Sequence, residues 1–342
     1  MVDEPHWVLQ THRHVSQEKF QKKFPERFYE AWYLKLNSTE DPQGNALWLR
    51  FTMLFSRSGA TRLAEVWGIF FDTGKLALKQ SFDATSFFVP DEGGIAIDGC
   101  LLTPGRTKGE INSRGHVLKW DLEINPRSDL AFDLVPQGLK KVGLVKNYAV
   151  TVNEDLVFNG QVLIDGRPVQ FVNARGMQGH LSGERNGHSW VWSHCNIFKN
   201  RHGKSEDFIF EGFSGRSRIG GIVPSPKLSS FLFVYKGREY RFNNVWDCIR
   251  NKSENGLTYW KFVAEKGDLV FRGTLEATLS DFAGVTYEDT DGSFLYCSNS
   301  NISDLQILVY RGGRLEETMK ADGTAAFEIV SRKKNPYVPL VI

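Results

Sequence analysis

Short runs of β-branched and aromatic residues, closed at their ends by turn formers, constrain this chain more than any other feature. Residues 46–55, 65–71, 207–213, 231–235 and 305–310 are such runs. Side chains of this kind suit a pleated, half-buried surface. Between and beside the runs stand Asn159-Gly160, Asp165-Gly166, Asn186-Gly187, Asn255-Gly256, Asp291-Gly292 and Asp322-Gly323. These dipeptides tolerate positive φ and predict hairpin corners. Many short strands joined in this way predict an all-β chain of antiparallel barrels or sandwiches. Residues 16–24, opened by Ser16 and closed by Pro25, form the clear helical candidate. Residues 103–114, with Gly105, Gly109 and several charges, predict an exposed hairpin tip.

At 342 residues the chain exceeds the usual size of one core, so two domains are expected. Glu26-Arg27-Phe28-Tyr29-Glu30-Ala31-Trp32 laid on Glu184-Arg185-Asn186-Gly187-His188-Ser189-Trp190 gives a weak internal repeat that ends on Trp32 and Trp190. Duplication is a simple route to two similar barrels. The boundary is placed in the Gly-rich stretch 174–183, giving a barrel with an N-terminal arm over 1–174 and a second barrel over 175–342.

Charge excludes some partners. With 42 Lys and Arg against 40 Asp and Glu, the net charge of +2 provides no long-range field for nucleic acid or an anionic membrane. Cys100, Cys195, Cys248 and Cys297 lack CxxC spacing, and His188, His194 and His202 lack a helical HxxxH. Neither a metal nor a cofactor is therefore expected. No apolar run reaches membrane-spanning length. Met1 to Gln10 lacks the basic and apolar regions of an export signal, so a reducing cytoplasm is the expected compartment.

Strict alternation from Gly187 to His194 sends His188, Trp190, Trp192 and His194 to one side of a strand. A mostly apolar wall with a few polar groups fits a small-molecule cavity. The other reading is a barrel plugged by the tryptophans, with hydrogen-bonded histidines in its core.

In order, Glu30-Ala31-Trp32-Tyr33, the hairpin from Gly160 to Gly166, a Gly-rich segment containing His180, and Gly187-His188-Ser189-Trp190-Val191-Trp192 resemble the double lipocalin-like (calycin) family. That family includes AttH-like proteins, carotenoid 1,2-hydratases, tocopherol cyclases and decalin-forming Diels-Alderases. The resemblance implies two lipocalin-like antiparallel barrels packed together, with an apolar isoprenoid, polyene or polyketide-like ligand in one barrel or between the two. It also implies cofactor-free, non-redox cyclisation, isomerisation or hydration. The chain departs from the hydratases, whose W-x-D/H-x-x-W cluster is replaced over 175–183 by a stretch that keeps only His180 as a polar candidate.

Such chemistry needs a proton donor in a dry pocket and aromatic faces for a developing cation. A carboxyl held against indole has its pKa raised and can serve as the acid. Glu30, His188 and His180 are the candidate proton carriers. Trp32, Trp190, Trp192, His194, Glu184, Phe210 and Tyr235 are the candidate ligand contacts. Two other functions fit the same residues: a non-catalytic carrier or sensor of a lipid-like ligand, and a structural protein with plugged barrels.

Overall fold

The computed structural model describes residues 28–39, 45–56, 59, 61–91, 93–136, 138, 147–219 and 223–342. The helical candidate at 16–24 lies outside the described residues. The first large sheet begins with β1 (Phe28–Asn37), β2 (Ala46–Phe55), β3 (Arg62–Phe71), β4 (Lys75–Asp83), β5 (Phe87–Phe88) and β6 (Ile95–Ile97). It continues with β7 (Cys100–Leu102), β8 (Arg106–Ser113), β9 (His116–Pro126), β10 (Phe132–Asp133), β11 (Tyr148–Ile164) and β12 (Arg167–Gly183). The second half starts with β13 (Ser189–Cys195), β14 (Phe198–Lys199), β15 (Ser205–Glu206), β16 (Ile209–Arg216), and the separate ribbon β17 (Arg218–Ile219) and β18 (Val223–Pro224). Then follow β19 (Leu228–Tyr235), β20 (Arg238–Phe242), β21 (Lys252–Asn255), β22 (Tyr259–Lys266), β23 (Leu269–Glu276), β24 (Ala283–Glu288), β25 (Phe294–Arg311) and β26 (Arg314–Ser331). A short helix, α1 (Val245–Arg250), is capped by the Asn244 side chain, which accepts from the Asp247 N–H. No helix among the described residues is long and apolar enough to cross a membrane.

Hydrogen-bonded order is β4-β3-β2-β1-β12-β11-β9-β8-β7-β6-β5 in the first sheet and β20-β19-β16-β13-β26-β25-β23-β22-β21 in the second. From β4 to β7 and from β20 to β21 the two orders correspond strand for strand, so the two halves share one topology. Each sheet curls on itself, giving two lipocalin-like halves. In the first, the Asn112 N–H on β8 donates to Gln80 Oε1 on β4. In the second, Phe233 on β19 stacks on Phe271 of β23 with centroids 4.0 Å apart.

Side chains fill both interiors. Trp32, Leu34, Leu49, Phe51, Trp120 and Phe158 pack in the first, and the Trp120 indole N–H is satisfied by Thr107 Oγ1. Phe210, Phe231, Phe233, Trp260, Phe262 and Phe271 pack in the second. A third apolar cluster joins the outer faces of the two halves, including Tyr33, Trp48, Trp67, Trp192, Tyr287 and Val330.

Several sequence expectations are corrected by this geometry. Asn159-Gly160 and Asp322-Gly323 are not corners but lie within β11 and β26, where Gly160 (φ 142) and Gly323 (φ 63) sit in register shifts. Asp165-Gly166 is a true corner, with φ of 50 and 83. The expected tip at 103–114 is largely β8, with Thr107 and Ile111 buried. The repeat that aligned Trp32 with Trp190 pairs residues of opposite faces. Trp32 points into the first barrel, whereas Trp190 packs in the seam and its neighbour Val191 points into the second barrel.

The stretch 175–183, assigned by its glycines to the second domain, is the C-terminal half of β12 and pairs with β1 in the first sheet. Its glycines serve close approach rather than a linker. A Cβ on Gly176 would stand 1.9 Å from the Lys35 carbonyl oxygen, and one on Gly179 would stand 2.1 Å from Cζ of Tyr33. Gly176→Ala is therefore expected to cost about 1–3 kcal/mol by forcing β1 from β12. Denaturant unfolding checks this, and an unchanged midpoint would show that the strands have room to part.

Candidate site at the seam between the barrels

Alternation along β1, β2 and β13 gives each strand two buried faces. Leu47, Leu49 and Phe51 fill the first barrel, while Trp48 and Arg50 of the same strand face the seam. On β13, Val191 and Cys195 fill the second barrel, while Trp190 and Trp192 face the seam. Tyr33 meets Trp192 edge to face with centroids 5.7 Å apart. The Ser230 hydroxyl donates to the Leu134 carbonyl across the same seam at 2.7 Å.

A cavity of about 130 Å³ lies in this seam. Trp48, Leu134, Leu181, Trp190, Trp192 and Phe213 form its apolar wall, and Tyr29, Tyr33, Arg50, Asn147, Asn186, Arg216 and Glu328 bring polar atoms to it. The Glu328 carboxylate is held from both sides. Trp190 Nε1 donates to Oε1 at 2.8 Å, and Tyr287 Oη and Asn299 Nδ2 donate to Oε2 at 3.3 Å each. Burial pushes the Tyr29 and Tyr33 phenols well above their ordinary range, helped at Tyr29 by Asp289 and at Tyr33 by Glu211. Both phenols are thus neutral hydrogen-bond donors at any physiological pH.

Behind the Trp192 wall lies a sealed polar cluster. Glu211 Oε1 accepts from Trp192 Nε1 at 2.8 Å and from Thr151 Oγ1 at 2.5 Å, so one carboxyl ties the second barrel's wall to the first barrel's β11. Glu154 Oε2 lies 3.4 Å from His194 Nε2, and all three titratable side chains are fully buried. Burial, reinforced by Glu211, pushes the Glu154 carboxyl well above the usual range. Burial also raises Glu211 and, with the Lys35 charge, holds His194 well below the imidazole range.

The sequence-derived candidates separate into distinct places. Trp190 and Trp192 stand in the cavity wall. His194 lies in the sealed cluster behind them. Glu30, His180 and Trp32 come together inside the first barrel, where His180 Nε2 is 2.6 Å from Glu30 Oε1 and the imidazole stacks on Trp32 at 5.4 Å. Tyr148 meets that imidazole edge-on and also lines the cavity. Phe210 and Tyr235 are corrections: both belong to the second barrel's aromatic core, because their strand positions face inward. Glu184 lies in the crossing between sheets, where its carbonyl accepts from Thr290, and it does not line the cavity.

His188 is a further correction. It precedes β13, its N–H donates to the Arg216 carbonyl, and it is not among the lining residues. Burial and the nearby Arg218, Arg332 and Arg216 depress its pKa. Sequence reasoning missed Arg50, Glu328, Tyr29 and Tyr33. A signal was present for Arg50, the one charge inside the largely apolar run 46–55.

Comparison with known proteins shows the fold alone. No family model matches the chain, and no curated protein sequence does either. Among solved structures, an AttH-like protein of Nitrosomonas europaea superposes with a TM-score of 0.53 at 10% identity, over 98% of this chain and 99% of that one. Kievitone hydratase of Nectria haematococca gives 0.51 at 6% identity over 88% of each chain. CghA gives 0.54 at 10% identity over 89% of this chain and 88% of its own.

The buried acid makes stability depend on pH. Native Glu154 keeps its proton above the unfolded value of 4.5, so the native state binds more protons and stability falls as pH rises through that window. His194 acts at the other end, its contribution being lost as pH falls below 6.5. Glu154→Gln, which cannot ionise, is expected to gain on the order of 1 kcal/mol or more over the parent at pH 8 and little at pH 4. Urea unfolding at the two pH values checks this, and an equal difference at both would mean that Glu154 is ionised in the native state.

Proposed function

We propose that the inter-barrel cavity binds a largely apolar small molecule, isoprenoid, polyene or polyketide-like, and catalyses a cofactor-free, non-redox cyclisation, isomerisation or hydration. One observation carries this reading. Large buried side chains pack the interiors of both barrels, and the seam holds a cavity walled by Trp48, Trp190, Trp192 and Phe213 with few convergent polar groups. A kievitone hydratase shares the fold, which is compatible with hydration as one of the three reactions.

In this reading the aromatic wall folds the substrate and excludes water, so orientation supplies a large part of the rate. Indole faces at Trp190 and Trp192 stabilise positive charge developing on a polyene carbon. Tyr29 and Tyr33 donate hydrogen bonds to a substrate carbonyl or hydroxyl. Glu328, whose two oxygens accept three hydrogen bonds, is placed to act as the proton acceptor. Of the carboxyl and imidazole candidates Glu30, His180, His188 and Glu328, it is the one on the cavity wall.

Three measurements test the proposal. Trp190→Ala is expected to weaken binding of the fluorescent probe N-phenyl-1-naphthylamine about tenfold, or ~1.4 kcal/mol, with little change in unfolding midpoint. No binding by the parent protein would favour plugged barrels without a ligand. Mass spectrometry of polyenes incubated with the protein reads the reaction class, because cyclisation and isomerisation conserve mass while hydration adds one water. Glu328→Gln is expected to lower turnover about 100-fold or more, and equal turnover would remove Glu328 from the chemistry.

A further inference from the structure

Arg50 is a buried cation whose donors are mostly unused. It is 7% exposed, and a guanidinium presents five N–H donors. Among the described residues its side chain makes a single hydrogen bond, from Nε to Thr52 Oγ1 at 2.9 Å, and no ion pair. Aromatic rings occupy its surroundings: Cζ lies 4.3 Å from the Tyr287 centroid and 5.9 Å from that of Trp67. Those contacts offset part of the cost of burying the charge but use none of its N–H groups. Arg50 itself lines the cavity, so the unused donors belong to a group at the ligand's boundary.

Among the described residues, the rest of the wall forms no ion pair with it. Glu328 is the one carboxylate among the lining residues, and its oxygens are occupied by Trp190, Tyr287 and Asn299. A second lining guanidinium, Arg216, donates to the Ser225 carbonyl and adds positive charge to the same wall. A desolvated cation with open, forked donors is matched best by a planar oxyanion.

We infer that the cavity's ligand is an amphiphile whose apolar body lies on the tryptophans and whose carboxylate-type oxyanion is seated on Arg50. The inference rests on the cavity reading above and names the ligand class within it. For an enzyme, the same contact holds the substrate's acidic end fixed while the polyene folds against Trp190 and Trp192. Arg50 is then a specificity-determining residue.

The test compares two probes that share one arylamine skeleton, N-phenyl-1-naphthylamine and its sulfonated counterpart 1-anilinonaphthalene-8-sulfonate, by fluorescence titration. The parent protein is expected to bind the anionic probe at least tenfold more tightly than the neutral one. Arg50→Met, close in length but uncharged, is expected to bring the ratio of the two affinities near unity, and Arg50→Lys to retain part of it. Equal affinities in the parent overturn the inference without needing any variant to fold, and leave the apolar cavity standing. A preference that survives in folded Arg50→Met also overturns it, because the anion then sits elsewhere. Failure of both probes to bind the parent overturns the cavity reading itself.

Discussion

Burial of both faces of the central strands is the constraint on which the rest of the structure depends. All ten residues of β1 are buried, although β1 belongs to an antiparallel sheet whose outer face would ordinarily be solvated. One face fills the first barrel and the other meets the second barrel. Polar residues on these strands therefore have no route to water and must be satisfied within the protein or by a ligand. Lys35 donates to the Thr324 carbonyl of the second half, Asn37 to the Asn301 carbonyl, and Glu211 ties Trp192 to Thr151. These bonds fix how the halves sit against each other, because each loses its partner if the seam slides.

The same constraint explains why the cavity is in the seam. Small barrels fill their own interiors with side chains, and here large aromatics do so on both sides. Two curved outer faces cannot match along their whole length. The space left between them is lined by residues that are outward-facing in each barrel yet sheltered from solvent, a low-dielectric setting in which a phenol, a carboxylate and a guanidinium act strongly on whatever is bound. Behind that lining, the sealed Glu154, Glu211 and His194 cluster is held largely uncharged by burial. That state lets two carboxyls share an interior that could not hold two charges.

Much of the fold was legible from local pattern. The run 46–55 is β2, the run 305–310 lies in β25, and Asp165-Gly166 turns β11 into β12. The prominence of Trp190 and Trp192 was legible too, since alternation sets them on one side of β13. Less legible were the glycines of 175–183, which read as a linker because a sequence does not show that β1 and Tyr33 press against them. Trp32 and Trp190 looked equivalent in letters but face opposite ways, since a one-residue difference in register reverses every side chain. Phe210 and Tyr235 were chosen for aromaticity, and nothing local separates an aromatic that fills a barrel from one that lines a cavity.

The sequence by itself determined where strands run, where several of them turn, and that side chains alternate between two faces, because φ/ψ preference and pleat are properties of neighbouring residues. Only the tertiary structure decided which face is the barrel interior and which is the seam. That choice depends on how each sheet curls and on pairings between residues far apart, such as Trp32 with His180 across β1 and β12. It also decided the chemistry of the site. Arg50, Glu328 and Tyr33 come from separate strands, and the burial and partners that give them their character exist only once both barrels have closed and met.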